Sequence, residues 1–168
     1  MTEFIDETVR TATNRNGGRL YPLPRADRLT ADLKDIFSAH LGNLDHGGHL
    51  EAEGILVTGR SGSGKTRELD SLVRRFNASG VRLPDGRPAR IAKCLLKGVG
   101  GWKAVGTCAA KAMGYPIGPK SKLTQYEIWE TVVREAKLNG VVGIHFDEVQ
   151  HIFHKKADAD RLAILDAF

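Results

Sequence analysis

Apolar residues at Leu29, Leu33, Ile36, Phe37 and Leu41 recur at spacings of three and four, which predicts an amphipathic helix stopping near Gly42. The pattern then changes. Gly54-Ile55-Leu56-Val57-Thr58 is a short apolar run ending in glycines, which predicts a buried strand. Helical spacing returns at Leu69, Leu72, Val73 and Phe76, with Gly80 as its stop. Ile91 to Leu96 predicts a second strand. Trp102, Val105, Ala109 and Met113 form the inward face of another helix, closed by Gly114. Ile128, Val132, Val133 and Ala136 mark the buried face of the next helix, and Gly140 ends it. Val141-Val142-Gly143-Ile144-His145-Phe146 predicts a third strand, fully buried. A nascent helix is expected from Asp160 to Phe168.

Turn chemistry supports these boundaries. Thr124 and Glu127 have the spacing of a capping box, and Leu123 and Ile128 sit where a hydrophobic staple would clamp that turn. Pro84-Asp85-Gly86 is a turn, and the His46-Gly47-Gly48-His49 stretch and Gly98 to Gly101 are loops. Asn16-Gly17-Gly18 and Pro22-Leu23-Pro24 make the first 25 or so residues an extended arm. The expected organisation is an N-terminal arm and helix over 1–50, then a partial phosphate-loop domain over 51–168, with Gly59 to Thr66 in one half and Asp147-Glu148 in the other. Strands alternating with helices predict an α/β layered fold with a largely parallel sheet.

Composition narrows the class. The chain has 168 residues, 41% hydrophobic and 27% charged, ordinary for a soluble globular domain. No apolar run approaches the ~20 residues of a membrane span. The acidic start, Met-Thr-Glu-Phe-Ile-Asp-Glu, lacks the order of a secretion signal, so the cytoplasm is the expected compartment. Cys94 and Cys108 have no zinc spacing and read as reduced thiols. The net charge of +5 is a mild bias towards polyanions. Lys93, Lys97, Lys103, Lys111, Lys120 and Lys122 are scattered and read as a solvated face rather than a DNA groove.

The chemistry concentrates in two places. Gly59-Arg60-Ser61-Gly62-Ser63-Gly64-Lys65-Thr66 matches the P-loop pattern GxxxxGK[ST]. The glycines let successive N–H groups turn towards phosphate oxygens, and the following helix presents its positive end to them. Lys65 is expected on the β and γ phosphates, and Thr66 on Mg²⁺. ATP or a close relative, with magnesium, is the expected ligand. The second place is Asp147-Glu148, at the carboxyl end of the third predicted strand, where α/β sheets bind ligands. Asp147 can hold magnesium and Glu148 can polarise an attacking water. The pair can also be read as acids at a helix N-terminus. Among weaker candidates, His145, His151 and His154 could gather a metal, although His145 reads better as a near-core ring with a hydrogen-bond partner. Trp102 and Trp129 read as packing residues. Gln150 could sense a γ-phosphate or be surface filler.

GRSGSGKT and VVGIHFDEVQ resemble the Walker A and Walker B motifs of AAA+ ATPases. Within that group, ILVTGRSGSGKTREL and IHFDEVQHIF are similar to the TniB-type transposition ATPases, a likeness covering about residues 29 to 155. The resemblance implies a P-loop NTPase (AAA+-like) three-layer fold, with Lys65 on phosphate, Thr66 and Asp147 on magnesium, and Glu148 as catalytic base. It also implies self-assembly on DNA and a transposase or integrase partner. One departure stands out. Only three of the five core strands are found, and the strand that should lie between the two motif strands is not among them. An arginine finger and a helical lid are not seen either. The sheet is therefore expected to be incomplete at the C-terminus, in a fragment, a truncated copy, or a compact variant whose motif strands pair directly. Two other functions fit the residues: a non-hydrolysing nucleotide switch, and a P-loop kinase.

Overall fold

The computed structural model describes residues 8, 11, 23–46, 53–96, 101–118 and 120–150. Its elements run in the order α1 (Pro24–Asp45), α2 (Lys65–Ala78), β1 (Arg90–Leu95), α3 (Trp102–Ala112), α4 (Gln125–Leu138) and β2 (Val141–Asp147). β1 and β2 pair in parallel, an arrangement that needs a long crossover, and α3 and α4 lie in that connection. The molecule is thus mixed α/β with a small parallel sheet.

Strand alternation gives this sheet two unlike faces. Ala92 and Ile144, then Cys94 and Phe146, are register partners on one face. They pack with Val105, Ala109, Ala110 and Met113 around α3 and with Val132 of α4. Ile128, Val105 and Cys94 are the largest fully buried side chains of this core. Each large apolar side chain buried there contributes roughly 1.5–3 kcal/mol. Trp102 and Trp129 stack across it at 4.7 Å, the packing role expected of them. Burial pushes the Cys94 thiol up to about 12, helped by neighbouring Cys108, so it is an inert core residue. The opposite face carries Ile91 against Gly143, Lys93 against His145 and Leu95 against Asp147. α2 lies on this side, with Lys93 paired to Asp70 at 2.5 Å and Thr66 bonded to Asp147. The chemistry-bearing residues therefore share one face with α2.

α1 docks on α2 through side chains alone. Phe37 meets Phe76 edge-on at 4.9 Å, and Arg75 donates to the Thr30 hydroxyl at 3.2 Å. The face predicted from Leu29, Leu33, Ile36, Phe37 and Leu41 is half-buried, and no α1 residue is fully buried.

Five expectations about the fold are corrected. Residues 54–58 form no strand among the described residues, and Leu56 is 80% exposed. A strand needs a hydrogen-bonded neighbour, and these residues have no β partner, neither β2 nor any other described strand. β2 is half-buried on both faces rather than fully buried, because among the described residues it has a strand neighbour, β1, on one edge only. Val133 is 51% exposed, pointing off α4 away from the core. α1 runs past Gly42 to Asp45, since an isolated glycine weakens a helix by only ~1 kcal/mol and does not by itself stop it. The N-terminal arm also differs where it is described: Thr8 and Thr11 are helical and exposed, and Pro24 opens α1 rather than a linker, its fixed φ suiting a first helical position. The expected helix over 160–168 lies outside the described residues.

The capping box forms as the spacing predicts. The Glu127 N–H donates to the Thr124 hydroxyl at 3.2 Å, and the Thr124 N–H donates to the Glu127 carboxylate at 2.6 Å. These backbone and hydroxyl donors hold the Glu127 carboxyl below its usual range. Thr124→Ala is expected to lower stability by about 1 kcal/mol, read as a lower urea midpoint at unchanged slope.

Candidate functional site

Residues 59–64 form a largely exposed loop running directly into α2 at Lys65. Gly64 is the cap residue, at φ 87°, and Gly62 has φ 75°. Side-chain-bearing residues avoid this region, so the curl needs glycine there. The first amides of α2 have no partner within the helix and carry its positive end. The Lys65 ammonium donates to the carbonyls of Gly59, at 2.7 Å, and Arg60, at 2.9 Å. It lies across the mouth of the curl rather than out in solvent. The Ser63 hydroxyl is buried with no hydrogen-bond partner.

The second motif arrives from β2. Asp147 is the last residue of that strand, and its Oδ1 accepts from the Thr66 hydroxyl at 3.2 Å and from the Glu148 N–H at 3.0 Å. The two motifs, 81 residues apart in sequence, thus touch through the side chains singled out for magnesium. Glu148 has φ 62°, alone among the described non-glycine residues in being positive. That conformation costs about 1–2 kcal/mol. The Gln150 amide donates to the Glu148 carboxylate, which gives exposed Gln150 a contact with the acid.

A hydroxyl and a carboxylate oxygen side by side are hard oxygen donors, the kind magnesium takes while keeping waters and phosphate oxygens as its other ligands. Among the described residues no three His, Cys, Asp or Glu side chains gather as a metal cluster. Of the three histidines considered for one, His151 and His154 lie outside the described residues. His145 differs from expectation: both ring nitrogens are buried without a hydrogen-bond partner. Burial lowers its pKa, with the neighbouring Lys93 ammonium adding to the effect against the pull of Asp147 and Asp70.

Sequence reasoning missed one support of this site. The Arg25 Nε donates to both carboxylate oxygens of Glu68, at 2.9 and 2.8 Å, and its Nη2 donates to the Ser63 carbonyl. Glu68 is buried, at 9% exposure. Its place four residues before Leu72, on the apolar stripe of α2, was the available signal, because a buried acid demands a cationic partner. Nothing local pointed to Arg25 as that partner.

Comparison with protein-family models, curated proteins and solved structures finds no match. The functional reading therefore rests on the residues themselves. Among the described residues no helix is long and apolar enough to cross a membrane.

Proposed function

We propose that this chain binds magnesium ATP, or a closely related nucleoside triphosphate, at residues 59–66 and hydrolyses it with Asp147 and Glu148. The observation that carries the reading is the Thr66–Asp147 contact, which joins a phosphate-type loop to a strand-end acid. In this reading the fold is the Walker half of a P-loop NTPase of the AAA+ kind. The amides of Gly62 to Thr66 receive phosphate oxygens, and the Lys65 ammonium exchanges its two loop carbonyls for them. Thr66 and Asp147 would hold the magnesium ion. Bound there, magnesium supplies charge neutralisation at the β and γ phosphates. Glu148 holds the attacking water and takes its proton. The further proposal, that the ATPase assembles on DNA and serves a transposase or integrase, draws on the TniB likeness of the two motifs and on the net charge of +5.

Lys65→Ala is the direct test of binding. Charged hydrogen bonds contribute about 1.5–3 kcal/mol, so the dissociation constant for ATP is expected to rise roughly 10- to 150-fold by titration calorimetry. The apo protein loses only the two exposed loop bonds and is expected to lose at most about 2 kcal/mol of stability. Equal affinity in the variant and the wild type would reject the loop as a phosphate site. Phosphate release that is absent both with and without duplex DNA would reject hydrolysis.

A further inference from the structure

Arg25 lies in the first turn of α1, yet its guanidinium reaches 38 residues along the chain to the Ser63 carbonyl, inside the loop. That contact bears on direction. A trans peptide is planar, so the Ser63 carbonyl and the Gly64 N–H lie in one plane and point in opposite directions, on either side of the chain. A cation holding the carbonyl on the α1 side turns the Gly64 amide to the other side. The guanidinium sits tightly against this peptide: a Cβ built on Gly64 would lie 3.4 Å from Arg25 Nη2. Glu68 keeps the guanidinium in place, and the Glu68 N–H donates to the Gly64 carbonyl at 3.0 Å. The peptide before Gly64 is therefore held by the Arg25 side chain, and the one after it by the first backbone bond of α2. α1 has no fully buried residue and rests on α2 through long side chains, so its docking is adjustable where the α3–α4 core is not.

We propose that Arg25 is a positioning residue for the phosphate loop, and that docking of α1 on α2 is energetically coupled to triphosphate binding. The proposal rests on the nucleotide reading given above. Coupling between two sites is reciprocal. If docked α1 orders the loop for phosphate, then bound triphosphate must hold α1 more firmly by the same factor. Nucleotide occupancy is thereby conveyed to an exposed helix at the surface.

The test uses the full chain with the non-hydrolysable β,γ-imido analogue of ATP and magnesium. Arg25→Ala alone would leave the buried Glu68 carboxylate unpaired, so it is combined with Glu68→Gln, and Arg25→Lys is measured beside it. Circular dichroism and the melting temperature check that both variants fold. The double variant is expected to bind the analogue at least 10-fold more weakly, and Arg25→Lys, with no planar fork for two acceptors, at least 3-fold more weakly. In wild type, the analogue is expected to slow hydrogen exchange across residues 24–45. In the double variant that slowing should vanish. A purely structural pair would lower the melting temperature but leave both the affinity of the folded protein and the nucleotide effect on α1 intact. Wild-type affinity in either folded variant, or α1 exchange that ignores nucleotide in the wild type, overturns the coupling while leaving the nucleotide site standing. No binding of the analogue by the wild type overturns both.

Discussion

Glu148→Gln is expected to bind ATP as tightly as the wild type and to hydrolyse it about 10²- to 10⁴-fold more slowly, the range that a positioned general base contributes. The physical basis is narrow. Glutamine keeps the shape and the hydrogen-bonding reach of the side chain but cannot accept a proton from water. The backbone at φ 62° is already set by the turn out of β2, so the exchange adds no new strain. Asp147, Thr66 and the loop are untouched, so binding has no reason to change. Stopped-flow binding and a phosphate-release assay separate the two quantities. Unchanged phosphate release would turn the reading towards a nucleotide switch whose occupancy, not turnover, matters. Release of a phosphorylated acceptor in place of free phosphate would point to transfer rather than hydrolysis.

Gly140→Ala is expected to be the most destabilising single exchange of a small residue for the next larger one. Gly140 joins α4 to β2 at φ 64°, where a side chain costs about 1–2 kcal/mol. A Cβ there would also lie 2.4 Å from the Pro88 carbonyl oxygen. That atom is backbone and cannot rotate aside, so the two segments must separate, at a further cost of roughly 1–3 kcal/mol. The separation would strain the first rung of the sheet, where the Arg90 N–H donates to the Gly140 carbonyl at 2.9 Å. A total loss of about 2–5 kcal/mol is a large part of the 5–15 kcal/mol typical of a domain. Urea unfolding measures it. Gly143→Ala is the internal control, since its Cβ would meet only Ile91 Cγ1 at 3.7 Å, an ordinary contact. It should stay within about 1 kcal/mol of wild type, and comparable losses in both variants would contradict the steric argument.

The helices were legible because their signals are local. The Leu69–Phe76 stripe, the capping box at Thr124 and the inward face of α3 all depend on residues within a few positions of one another. The loop was legible for the same reason: eight consecutive residues define its curl, and the helix they open begins at Lys65, within the motif. The strands were harder. Residues 54–58 and β2 carry similar apolar runs, yet only β2 is paired, with β1. Pairing is a property of two segments, and the run itself is silent about the other one. Likewise the half-burial of β2 follows from its place at the edge of a two-stranded sheet, not from its own residues.

By itself the sequence determined that a glycine-rich curl leads into a helix, that an acid pair closes an apolar strand, and that helices alternate with apolar runs. Each is a short-range statement, enforced by backbone geometry and periodicity. Only the tertiary structure decided that Thr66 meets Asp147, that Lys65 folds over its own loop, and that Arg25 grips Ser63. Those contacts span from 5 to 81 residues. The long ones exist because the parallel sheet sets β2 beside the start of α2, and because buried Glu68 takes its cation from α1 while Lys65, three residues away, is held on the loop carbonyls.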